Sequence, residues 1–313
     1  MTDLATKRIV VTGGAGFLGR AVCRLLRERG VADEQIFVPR RLEYDLTVEA
    51  DVARLFETAR PEIVIHLAAE VGGIGANMAH PGRFFFANMA MGLHLVEHAR
   101  RTGLEKFVHT GTVCAYPKFA PIPFREDDLW NGYPEETNAP YGVAKKALFV
   151  MLDGYRREHG LQSAVVVPVN LYGPGDNFDP SSSHVIPALI RKCEEARLAG
   201  ADEVICWGTG SATREFLYVD DAAEGILRAT EVMEEPVPIN LGGGQEISIR
   251  HLVAKIAAAC GFAGRITWDT SKPDGQPRRG LDISRAQELL SWSPRQDFDS
   301  GLAATVAWWR AQG

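Results

Sequence analysis

The chain has 313 residues, 46% hydrophobic and 24% charged, which is enough for a large buried core and too long for a small scaffold stapled by disulfides. Acidic residues outnumber basic ones by 40 to 34, a formal net charge of −6, so no overall field draws in a polyanion and nucleic acid is not expected as a partner. Cys23, Cys114, Cys193, Cys206 and Cys260 form no CxxC pair, and no apolar run approaches the roughly 20 residues of a membrane helix; the expectation is a cytoplasmic protein with reduced thiols, no structural metal and no membrane contact.

Short β-branched runs at 8–12, 35–38, 62–66, 106–110 and 163–167 alternate with amphipathic stretches at 17–29, 85–101 and 141–159. That alternation predicts the α/β class: a doubly wound parallel (Rossmann) sheet whose ligands lie at the carboxyl ends of the strands. Beyond Leu171 the pattern gives way to loops rich in Gly, Pro, Asp and Ser, with shorter helices expected at 184–198, 248–260 and 284–289. Residues 1–170 are therefore expected to form the dinucleotide-binding domain. Residues 171–313 would form a smaller, interleaved substrate lobe, with a segment near 210–245, including a strand at Ile239, returning to the sheet.

Gly13-Gly14-Ala15-Gly16-Phe17-Leu18-Gly19 links the first strand to the first helix. Gly13 and Gly16 remove side chains where the backbone turns towards a pyrophosphate, Gly19 allows close packing, and the helix N-terminus at Phe17 and Leu18 faces the anion. After the second strand stand Arg40 and Arg41 rather than an acid, which favours a 2′-phosphate and hence NADP(H), with NAD(H) the alternative. Asp45 and Leu46 are candidates to cap the adenine. Ala68, after His66 and Leu67, lets the cofactor lie close, while His66 reads as structural.

Tyr141 and Lys145 stand at i and i+4 on one helix face. Thr112, at a strand end, is expected to aim its hydroxyl into the same crevice, and a nearby Lys145 ammonium to lower the Tyr141 pKa so that the phenol exchanges a proton with a substrate oxygen. Cys114, two residues beyond Thr112, is expected on the same strand face.

The glycine loop, the strand-end Thr112 and the Tyr141/Lys145 pair together resemble the extended short-chain dehydrogenase/reductase superfamily. The segments Val71-Gly72-Gly73-Ile74-Gly75-Ala76-Asn77, Cys114-Ala115-Tyr116-Pro117-Lys118, Asn170-Leu171-Tyr172-Gly173-Pro174, Asp176-Asn177-Phe178, Ser183-His184-Val185-Ile186-Pro187 and Ser271-Lys272-Pro273-Asp274-Gly275 narrow the likeness to the GDP-L-fucose synthase family, over nearly the whole chain.

The resemblance implies a GDP-sugar 3,5-epimerase/4-reductase acting on GDP-4-keto-6-deoxy-mannose, or on a close relative, with NADPH. It casts Cys114 and His184 as base and acid, Tyr141 as proton donor with Lys145 tuning it, and Thr112 in place of the usual serine. It also implies that Pro168, Asn170, Leu171, Lys145 and His184 line the cofactor, that Asn170, Lys192, Trp207, Arg214, Asp274 and Arg279 hold the GDP-sugar, and that the protein is a homodimer. Two departures stand out: Ala15 replaces the family's usual glycine-loop arginine, and residues 130–136 are variable in the family. A redox-neutral GDP-sugar isomerase, either an epimerase or a pyranose-furanose mutase, is the alternative on the same scaffold. The run Glu194-Glu195-Ala196-Arg197 is expected to be an exposed helix face.

Overall fold

The computed structural model describes residues 1–72, 74–180, 182–272 and 277–312. In chain order the strands are β1 (Ile9–Thr12), β2 (Ile36–Phe37), β3 (Ile63–His66), β4 (Lys106–Thr110), β5 (Gln162–Pro168), β6 (Asn170–Tyr172), β7 (Glu203–Trp207), β8 (Thr213–Tyr218), β9 (Pro238–Leu241), β10 (Glu246–Ser248) and β11 (Arg265–Asp269). The helices are α1 (Phe17–Glu28), α2 (Glu49–Ala59), α3 (Ile74–Ala79), α4 (Pro81–Thr102), α5 (Ala139–His159), α6 (Val185–Ala199), α7 (Val219–Val232), α8 (Ile249–Cys260), α9 (Ser284–Leu290) and α10 (Phe298–Arg310).

Six strands form one sheet in the order β2-β1-β3-β4-β5-β9, every pair parallel. Its central strands are buried on both faces, which is why they read as continuous apolar runs instead of alternating ones. The order reverses at β1 and β3, and the crevice beyond their carboxyl ends is where such sheets bind ligands. There Thr12 Oγ1 and His66 Nδ1 lie 2.8 Å apart, and the same hydroxyl accepts the Ala68 N–H at 3.3 Å.

The expected strands and long helices are present with shifted ends. The second strand shrinks to two residues, and α2, whose inward side is only Val52, Leu55 and Phe56 amid charged neighbours, escaped the periodicity. Beyond Leu171 there is more strand than anticipated: β6, β8 and β10 form a three-stranded sheet, and β7 and β11 a parallel pair. The return to the large sheet runs through α7 and β9; residues 213–218 pair with β6 and β10 instead. A second re-entry was not anticipated: Leu281, Ala286, Leu290 and Trp292 join the apolar cluster of the large sheet, while Leu302 and Val306 of α10 return to the other.

Glu194 also departs from expectation. It is buried, and Arg310 binds it in bidentate fashion at 2.7 and 3.1 Å with Arg197 at 2.9 Å, so these charges pull its pKa down to about 2 against the opposing effect of burial. Among the described residues no helix is long and apolar enough to cross a membrane.

Candidate active site

The turn between β1 and α1 is shaped by its glycines. Gly13 takes φ +71°, and a Cβ there would lie 2.8 Å from the Ala68 nitrogen; one on Gly19 would lie 2.1 Å from the Gly13 carbonyl oxygen. Gly16 caps α1 without a side-chain hydrogen bond, so the first-turn amides remain available to an anion. Arg40 and Arg41 are exposed just past β2 and form no salt bridge among the described residues. Asp45 accepts from both the N–H and the hydroxyl of Thr47 (3.0 and 2.7 Å), bonds that lower its pKa, while Leu46 is buried.

Tyr141 lies in the first turn of α5, and Lys145 follows one turn later. What brings them to the sheet is Gly142, whose added Cβ would stand 2.3 Å from the Cys114 carbonyl oxygen, so α5 rests directly on the backbone at 114. The Thr112 hydroxyl is placed to stabilise the Tyr141 phenolate, and Cys114 adjoins the same phenol. Arg279 Nη1 donates to Cys114 Sγ at 3.8 Å.

Two expectations are corrected here. Thr112 and Cys114 do not share a strand face: β4 ends at Thr110, and Thr112 caps a 3-10 turn, Val113–Ala115, accepting the Cys114 N–H at 3.2 Å. Lys145 does not lower the Tyr141 pKa; burial raises it, the neighbouring Cys114 adds to the rise, and the Thr112 hydrogen bond opposes it. Burial also pulls Lys145 down from the ordinary lysine range to about 7.

Lys145 is almost wholly buried, and its ammonium has no hydrogen-bond acceptor among the described residues. The Nζ atom itself keeps contact with solvent, so water or an acceptor supplied from outside the chain can reach its three donors. Beneath it, His109 Nε2 lies 3.1 Å from the Lys145 carbonyl oxygen and its ring stacks on His66 at 5.8 Å; both imidazoles are fully buried and driven well below their usual pKa. His109 escaped the sequence reasoning, although a histidine inside an otherwise apolar strand was its signal.

The remaining candidates are more dispersed. Pro168 ends β5 of the large sheet, Leu171 lies on β6 of the three-stranded sheet, and Asn170 Nδ2 donates to the Glu215 carbonyl at 3.0 Å. His184 is the N-cap of α6, exposed to solvent yet desolvated enough to lower its pKa, and its ring makes no hydrogen bond among the described residues. Lys192 donates to the Ile205 carbonyl of β7, whose last residue, Trp207, is exposed with Lys272 5.7 Å from its ring centre. Arg214 donates to the Thr213 carbonyl at 2.7 Å. Arg278 pairs with Glu246 at 2.6 Å, leaving Arg279 as the arginine at the cysteine. Asp274 lies outside the described residues, as do Gly73, Pro273 and Gly275 of the quoted motifs.

Fold and constellation define a dinucleotide-binding α/β enzyme with a hydroxyl, a phenol, a thiol and a lysine at its crevice. The chain belongs to the NAD dependent epimerase/dehydratase family, whose model matches residues 9–242. It is 40% identical over 309 residues to GDP-L-fucose synthase 1 of Arabidopsis thaliana, covering 99% of this chain and 94% of the relative, and 38% identical to GDP-L-fucose synthase of Escherichia coli K12, covering 97% of each. Among solved structures, a GDP-L-fucose synthetase from Naegleria fowleri superposes with a TM-score of 0.89 at 29% identity, over 99% of this chain and 95% of that one; its NADP-bound form gives 0.86.

Proposed function

We propose that the protein converts GDP-4-keto-6-deoxy-mannose to GDP-L-fucose, inverting C3 and C5 and then reducing C4. The observation that carries this is the gathering of Thr112, Tyr141 and Arg279 around Cys114, in a chain about 40% identical over nearly its whole length to GDP-L-fucose synthases.

The C4 ketone acidifies the hydrogens on C3 and C5. Cys114 and His184 exchange those protons, one removing and the other returning, so the carbon skeleton gains and loses nothing. Tyr141 then gives its proton to O4, with the Thr112 hydroxyl hydrogen-bonding the same oxygen, and Arg279 fixes the thiol. NADPH, when bound, supplies the hydride for C4. Its pyrophosphate is assigned to Gly13, Gly16 and the α1 N-terminus, its 2′-phosphate to Arg40 and Arg41, and its remaining contacts to Asp45, Leu46, Ala68, Lys145, Pro168 and Leu171. The solvent-reachable Lys145 ammonium, which makes no hydrogen bond within the chain among the described residues, and the uncapped helix support this fit. Asn170, Lys192, Trp207, Arg214, Asp274 and Arg279 are assigned to the GDP-sugar.

The protein is further proposed to be a cytoplasmic homodimer. Phe86, Met89 and Leu93 of α4 form an outward stripe, as do Val143, Ala147 and Val150 of α5, and the two helices pack side by side.

The deciding experiment is incubation with GDP-4-keto-6-deoxy-mannose and NADPH. Loss of nicotinamide absorbance matched by GDP-L-fucose is expected. Conversion of the sugar without NADPH loss would replace this function with a redox-neutral isomerase.

A further inference from the structure

Arg20, in the first turn of α1, reaches away from its own helix in two directions. Its Nη1 donates to the Ala15 carbonyl of the glycine turn at 2.8 Å, and its Nη2 donates to the Gly175 carbonyl at 2.6 Å, 155 residues along the chain. Gly175 is shaped for that contact: its φ is +86°, and a Cβ there would stand 2.9 Å from the guanidinium. Among the described residues no other hydrogen bond joins the glycine turn to the 173–178 loop.

This loop leaves β6 and leads towards His184 at the head of α6, and it carries Asp176, a buried carboxyl with one oxygen bonded to the Asn177 N–H (2.7 Å) and the other unmet. One planar fork thus ties the segment assigned to the cofactor pyrophosphate to the segment that enters the sugar side. A ligand that fixes either loop fixes the other through the fork, so the second ligand meets a site already partly ordered.

We infer that Arg20 is a positioning residue that couples the two subsites, so that NADP⁺ and a guanine nucleotide each tighten the binding of the other. The inference rests on the assignment of the two subsites made above.

The test is calorimetry with NADP⁺ and GDP, each titrated alone and in the presence of the other, on the parent and on Arg20→Ala. In the parent, each ligand is expected to tighten the other by about five- to tenfold. In Arg20→Ala the separate affinities should stay within about threefold while the coupling factor falls towards one. An unchanged coupling factor in the variant, or none in the parent, overturns the inference and leaves the subsite assignment standing. Failure of the parent to bind NADP⁺ or GDP at all overturns both. Arg20 is exposed, so the variant should fold, and unchanged thermal unfolding without ligand separates lost coupling from general damage.

Discussion

The Arg279 guanidinium meets the Cys114 sulfur at 3.8 Å although the two are 165 residues apart. Cys114 follows the central strand β4, whereas Arg279 arrives on the segment that leads back to the large sheet at Leu281. The contact places a cation from one part of the chain beside a thiol from another.

Cys114→Ser is expected to abolish epimerisation while GDP still binds, since a hydroxyl is far harder to ionise than a thiol. Tyr141→Phe should remove reduction and leave proton exchange at C3 and C5 intact. Each loss is expected to be about 10²–10⁴-fold in turnover. Deuterium incorporation from solvent and NADPH consumption, followed in parallel, separate the two steps; full turnover in both variants sinks the assignment.

Lys145 titrates near pH 7 in the free protein because burial disfavours its charge. An acceptor that satisfies the ammonium raises that pKa, so cofactor binding at pH 8 should take up protons. Calorimetry of NADP⁺ binding in two buffers of different ionisation enthalpy measures this directly, and Lys145→Met should abolish the uptake. Proton release in the parent contradicts the placement.

The Asp176 carboxyl is pushed up to about 7 by burial. The native state therefore keeps a proton that the unfolded chain has shed between about pH 4 and pH 7, and stability falls as pH rises through that window. Asp176→Asn should remove this slope and stabilise the ligand-free protein above pH 7 by at most about 4 kcal/mol. Denaturant unfolding at pH 5 and pH 8 gives the comparison; equal effects at both would refute it.

Gly142→Ala puts a methyl group 2.3 Å from the Cys114 carbonyl oxygen, so α5 must lift from the turn at 113–115. The expected cost is about 1–3 kcal/mol of stability. Turnover should fall further than stability accounts for, because Tyr141 moves relative to Thr112. Unfolding curves and kcat of one preparation test both.

Phe86→Glu together with Leu93→Glu should convert a dimer to monomers, as a charge in a desolvated apolar stripe is left unpaired. Sedimentation equilibrium would show the mass halved. A parent that already sediments at 34.3 kDa rules out the dimer.

The large sheet was legible because its strands are short apolar runs, most of them ended by Gly or Pro, and because the glycine turn joins strand to helix in a fixed order. The Tyr141 and Lys145 positions were legible for the same local reason. Whatever depends on distant partners was not. Glu194 looks solvated until Arg310 is placed against it 116 residues later. Cys114 was misplaced because β4 stops just before Gly111, and a turn orients side chains differently from a strand. The electrostatics of Tyr141 and Lys145 reversed because burial, set by the whole fold, outweighs a neighbour one helical turn away.

The chain passes repeatedly between the two apolar clusters: Leu171 to Tyr172, Phe216 to Leu217, out again at Ile247, back at Leu281 and finally to Phe298. Cutting it anywhere near the middle therefore severs both cores at once. Neither part is expected to survive as an independent fragment, and among the described residues no single linker stands between the clusters about which one could swing. Any adjustment to an arriving sugar must be made by local segments such as 173–178 and not by the travel of one half against the other. A tether of that kind, like Arg20 across two such segments, then matters more than a hinge.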